Sequence, residues 1–226
     1  MQNNLRTVYL LADSQLLFSS SNGSQLLYPA LKYYANYDIR AAYIGVSNGD
    51  NPTFYELFLG AMQLLGISNC MQITTAFPQE QQEFLQNSQI VVLSGGDVFA
   101  GFEIMYSNGI TDTLIKNYYN GSTIVGISAG AVQMGLIAHE KEFSGALLQI
   151  VPLVISVHEE QDDWKQLKET VQSSETYTGG IGIPLGGAVL YYPDQSLEAI
   201  GKPALEIKKI NNQLKQNILL PKETGN

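Results

Sequence analysis

The stretch "STIVGISAGAV", residues 122–132, changes character at its middle, and that change decides the fold class. Its first half, Ser122–Ile127, is rich in β-branched residues and reads as a buried strand, whereas the half that begins at Ala129 is small and helix-forming. Ser128 stands at the junction. A strand that turns directly into a helix is the repeating unit of an α/β protein. The pattern Gly-x-Ser-x-Gly at such a turn lifts a serine hydroxyl clear of the backbone, where it can act as a nucleophile. Serine at the start of a helix also serves as an N-cap, accepting hydrogen bonds from orphan backbone donors. Taken alone, the stretch leaves both readings open.

Outward from that junction, short apolar runs recur as strand candidates: "TVYLLA" from Thr7, "AAYIGV" from Ala41 and "QIVVLS" from Gln89. Helical patterns separate them, in "SQLLYPALKYYANY", "PTFYELFLGAMQLLG" and "QEQQEFLQ". Strands alternating with helices argue for right-handed crossovers and a mostly parallel sheet. After Glu142 the pattern shifts, and "GIGIPLGGAVLYYPDQSLEAIG" reads as extended segments joined by a Pro-Asp turn. An antiparallel β element is therefore expected after the parallel core. The predicted architecture is a Rossmann-like, three-layer α/β/α fold, with residues 1–203 as the main domain and 204–226 packed on it or trailing from it.

With 226 residues, 45% of them hydrophobic and 15% charged, the chain has enough apolar content for one well-packed domain. No apolar run approaches the roughly 18 residues of a membrane span. The opening "MQNNLRTVYLLADSQ" carries an apolar patch of only about five residues, too short for a signal-peptide core. These features and the single cysteine, Cys70, lead to the expectation of a cytoplasmic protein. The net charge is −9, and Arg6 and Arg40 are the only arginines. A chain so poor in clustered basic residues is not built to bind nucleic acid. The polar end "NNQLKQNILLPKETGN" reads as a solvated tail.

Ligands of open α/β sheets collect at the carboxyl ends of the strands. "SSSNGS" lies beyond the first strand, "SNGDNP" follows the second, and "SGGD", Ser94–Asp97, follows "QIVVL". The paired glycines Gly95 and Gly96 free backbone N–H groups to face an anion, and Asp97 is placed to cap the helix beginning near Val98. Neither the G-x-G-x-x-G spacing nor a Walker lysine is present, so a nucleotide site is disfavoured.

A serine nucleophile needs a base, and the chain has two histidines. His139 is eleven residues past Ser128. It is expected at the far end of the helix that starts at the turn, roughly 16 Å from Ser128 and out of reach, where it reads as a helix C-terminal histidine. His158 follows the strand-like run "LLQIVPLVISV", so a strand end could bring it beside Ser128. Only Glu140 and Glu142 lie between Ser128 and His158, and no histidine follows position 158, which disfavours the α/β-hydrolase order of Ser, acid, His.

The combination of "QIVVLSGGDVF", "GISAGAV", "VISVHEEQDDW" and "GIGIPLGGAVLYYPDQSLEAIGKP" resembles the dipeptidase E and cyanophycinase family of serine peptidases, relatives of class I glutamine amidotransferases. The resemblance runs from about Leu5 to Pro203. It implies Ser128 as nucleophile, His158 as base, and an oxyanion hole from the Gly95–Gly96 pair, Gly96 above all, and Ala129. It implies no cofactor and no metal. Relatives take a glutamate from the segment matching "GIGIPLGG", where this chain has Leu185 near the expected place. Glu160, spaced His-x-Glu, is the substitute. The acidic stretch "EEQDDWKQLKE" offers only Lys165 and Lys168 to hold an aspartyl substrate, so aspartyl specificity does not carry over. The expected function is a serine peptidase for small peptides or peptide-like amides, with no nucleic-acid or membrane partner and a homodimer as the candidate assembly. The alternative is a catalytically inactive, ligand-binding protein on the same fold.

Overall fold

The four apolar runs read as buried strands form the centre of the molecule. The computed structural model describes residues 5–21, 24–34, 38–140, 143–176 and 178–222. In chain order the elements are β1 (Val8–Leu11), β2 (Ser20–Ser21), β3 (Ser24–Gln25), α1 (Tyr28–Leu31), β4 (Arg40–Ile44), α2 (Pro52–Leu64), β5 (Asn69–Ile73) and α3 (Gln79–Gln86). There follow β6 (Ile90–Leu93), α4 (Val98–Ser107), α5 (Ile110–Asn120), β7 (Thr123–Ile127), α6 (Ala129–Gln133), β8 (Ile137–Glu140) and β9 (Phe143–Ala146). The remainder is β10 (Val154–Val157), α7 (Lys165–Ser173), β11 (Gly179–Ile183), β12 (Ala188–Tyr191), β13 (Leu197–Ile200), β14 (Ala204–Ile210) and β15 (Gln213–Leu219).

Seven strands make the main sheet in the order β13-β12-β1-β7-β6-β4-β5. The five from β1 to β5 in that order run parallel, and the β12–β13 hairpin joins antiparallel on the β1 side. Alternation along the strands sorts the core into two sets. Val8 and Leu10 pack with Met105, Leu114 and Met134, from α4, α5 and the end of α6, while Tyr9 and Leu11 pack with Phe58 and Met62 of α2. The fold is thus α/β, with a mixed and mostly parallel sheet.

The predicted antiparallel element is more than a hairpin. β11 belongs to a second sheet, ordered β10-β11-β14-β15, in which β10 and β11 are parallel and the other pairs antiparallel. The polar end read as a solvated tail contains β15, a mostly exposed strand paired along its length with β14. No helix among the described residues is long and apolar enough to cross a membrane.

Candidate active site

Ser128 takes φ 50° and ψ −110° between β7 and α6, a conformation that a residue with a Cβ adopts only when its surroundings impose it. Its N–H donates to Leu11 O at 2.8 Å and its carbonyl accepts from Ala131 and Val132, which fixes the turn from both sides. The side chain makes no capping hydrogen bond, so the N-cap reading is not what the residue does. The helix behind it fits only because its residues are small. A Cβ on Gly126 would lie 2.5 Å from Gly130 O, and one on Gly130 would lie 2.6 Å from Leu93 O.

Gly95 and Gly96 stand beside Ser128 at the end of the neighbouring strand β6. A Cβ on Gly95 would lie 3.3 Å from Ser128 Cβ and 3.9 Å from its Oγ. Gly96 has φ +131°, and a Cβ there would be only 1.9 Å from Ser47 O. The same Ser47 O accepts the Asp97 N–H at 2.8 Å, so the turn is pulled against the loop that follows β4. Asp97 caps α4 as predicted, accepting from Phe99 N and Ala100 N at 2.9 Å each. Those helix donors are therefore occupied. Among the described residues the N–H groups of Gly95 and Gly96 have no hydrogen-bond partner, and the Ala129 N–H, at the first position of α6, has no preceding turn to donate to.

His158 is brought in by the second sheet. β10 and β11 pair in parallel with Val157 opposite Ile183, so the chain leaves both strands at the same level. His158, at φ 61°, donates its N–H to Ile183 O at 3.2 Å and lies next to the Pro184–Gly187 turn. Ser128, His158, Gly95 and Gly96 all line one cavity of about 300 Å³. No hydrogen bond joins Ser128 to His158. Glu160 does not bond His158 either. Its Oε1 accepts the N–H of Leu185 at 3.1 Å. Glu159 is engaged elsewhere, accepting from Ser156 Oγ and from the N–H groups of Gln166 and Leu167 at the start of α7.

His139 is not at the end of the helix after Ser128. α6 stops at Gln133, because Gly135 and the loop behind it turn the chain into the β8–β9 hairpin, and His139 falls on β8. Of the other loops singled out in the sequence, "SNGDNP" contributes Asn48 to the cavity, where its Nδ2 donates to Tyr43 OH at 3.0 Å. Burial raises the Tyr43 phenol above its ordinary pKa, so it stays neutral there. "SSSNGS" falls partly outside the described residues, as does Glu142. Sequence reasoning missed Asp13, which follows β1 directly and lines the cavity; its place at a parallel strand end was the available signal. It also missed Phe54, Leu57 and Phe58 of α2, which form an apolar wall. Among the described residues no group of His, Cys, Asp and Glu side chains is arranged to hold a metal ion.

A family model described as peptidase family S51 matches residues 10–199. No curated protein sequence matches the chain. Among solved structures, a peptidase from an acI-B1 actinobacterium superposes with a TM-score of 0.73 at 15% identity, covering 98% of this chain and 97% of that one. A putative peptidase E protein from Listeria monocytogenes EGD-e superposes with a TM-score of 0.61 at 14% identity, covering 87% of this chain and 98% of that one.

Proposed function

The chain belongs to peptidase family S51, and from that premise we propose that Ser128 and His158 are the nucleophile and base with which this serine-type peptidase cleaves small peptides. The observation that carries the assignment is Ser128 itself: a strained residue whose hydroxyl caps nothing and opens onto a cavity that a histidine also lines. In this reading the turn is a nucleophile elbow. Ser128 Oγ attacks the scissile carbonyl carbon while His158 takes its proton, and the carbonyl oxygen becomes an oxyanion. The N–H groups of Gly96 and Ala129 receive that charge, being fixed before the reaction begins. His158 then protonates the leaving amine, the C–N bond breaks, and an acyl-serine remains. Water activated by the same imidazole attacks the ester and returns Ser128. Glu160 is the positioning acid, since its Oε2 is unclaimed and it stands two residues beyond the base. A loose apo geometry that tightens on substrate is ordinary for such pairs.

The reading includes a Rossmann-like three-layer arrangement of residues 1–203, with 204–226 packed on that domain. It also includes a cytoplasmic location and a homodimer. A fluorophosphonate probe tests the centre: the wild type is expected to label at Ser128, and Ser128→Ala and His158→Ala to lose both label and peptide hydrolysis. A wild-type protein that takes no label, with its fold intact by circular dichroism, would instead establish the ligand-binding alternative.

A further inference from the structure

We infer that the Ser128 cavity takes a peptide whose acyl-side residue has an apolar side chain and a free α-ammonium group, with Asp13 receiving the ammonium. The inference rests on the peptidase reading of the same site. The acyl residue is the part that stays attached to Ser128, so it must fit the cavity onto which Ser128 opens. Gly96 also lines a second, larger cavity of about 510 Å³.

The first cavity is apolar with one charge. Leu17 and Phe58 are buried at 2% and 1% exposure, while Phe54, Leu57 and Leu185 stand 43%, 40% and 60% exposed. An exposed apolar cluster at the mouth of a cavity marks a surface that a ligand covers. Among the described residues, no lysine or arginine lines the cavity. Lys165 and Lys168, the cations nearest in sequence to His158, pair instead with Glu169 at 4.0 Å and Asp163 at 2.8 Å. An acidic acyl side chain would meet the Asp13 carboxylate in that lining, an arrangement of like charges that costs free energy.

Asp13 is suited to an ammonium. Its Oδ1 accepts the Gln15 N–H and its Oδ2 the Gly186 N–H, both at 2.9 Å. Two backbone donors hold the carboxylate still, and each oxygen keeps lone-pair capacity for a cationic donor. A group already fixed loses little entropy when the ligand arrives.

Calorimetric titration of the turnover-free Ser128→Ala protein with Leu-Ala, N-acetyl-Leu-Ala and Asp-Ala tests the inference. Leu-Ala is expected to bind at least about tenfold tighter than either of the others, since removal of a charge-assisted hydrogen bond is felt on that scale. Adding Asp13→Asn is expected to bring Leu-Ala down to the level of its acetylated form. Equal binding of the acetylated peptide, tighter binding of Asp-Ala, or no binding of any of the three would overturn it. The acetylated comparison needs no change at Asp13, so a folding defect in that variant does not obscure the result. Fluorophosphonate labelling and hydrolysis by the wild type judge the peptidase reading separately, because neither depends on which peptide binds best.

Discussion

At the scale of single residues, Ser128 holds a positive φ that a side chain resists, and Gly96 makes a close approach that only glycine allows. The strain at Ser128 has a measurable sign: Ser128→Gly is expected to raise thermal stability by roughly 1 kcal/mol while abolishing hydrolysis, since glycine adopts positive φ freely. A wild-type melting temperature in that variant would mean that the turn is not strained. Gly96→Ala should do the reverse. Its Cβ would collide with Ser47 O, so a loss of about 2–3 kcal/mol is expected by urea titration, together with loss of turnover. The sequence suggested only the oxyanion space as the reason for glycine there; the collision with Ser47 comes from a loop more than forty residues away and has no local signature. Asp13 offered only its place at a parallel strand end as a signal. One carboxylate after a strand carries no spacing pattern, and its partner Gly186 is distant in sequence.

At the scale of elements, strands buried on both faces were legible as continuous apolar runs, and β1, β4, β6 and β7 lie where those runs are. β5 and β15 were not. β5 is an edge strand of partly buried residues and β15 is mostly exposed, so neither shows the apolar run by which a strand is recognised. The second sheet also hides a tight joint. Gly182 on β11 faces Trp164, and a Cβ there would lie 2.5 Å from the indole ring. Gly182→Ala is expected to cost about 1–3 kcal/mol and to displace α7, with turnover falling because β10 and β11 deliver His158 and the Leu185 turn. Trp164 is the only tryptophan in the chain, so its fluorescence in a urea titration reads the change directly.

At the scale of the whole molecule, thirteen tyrosines and one cysteine make alkaline pH a probe of packing. Burial pushes the Tyr9 and Tyr118 phenols up to about 12 and the Cys70 thiol up to about 11, from ordinary values of 10.0 and 9.0. The unfolded chain releases these protons first, so the stability they contribute is intact below about pH 9 and is lost as pH climbs through the folded values near 11–12. Urea midpoints flat to pH 9 and falling beyond it are expected; a midpoint that rises from pH 9 to 11 would contradict the burial of these groups. The joining of the two sheets by the Pro184–Gly187 turn, with its bonds to Ala12, Asp13 and Glu160, has a consequence in the timing of synthesis. A ribosome releases Ser128 and its neighbouring glycines early, but the strand that carries His158 gains its neighbour β11 only after residue 183, and β11 gains β14 later still. Under the proposed roles of Ser128 and His158, the nascent chain is expected to be an unarmed hydrolase for most of its translation. Ribosome-bound chains arrested near residue 176 should refuse the fluorophosphonate probe that the finished protein accepts, and labelling at that length would show that the second sheet is dispensable for arming the serine.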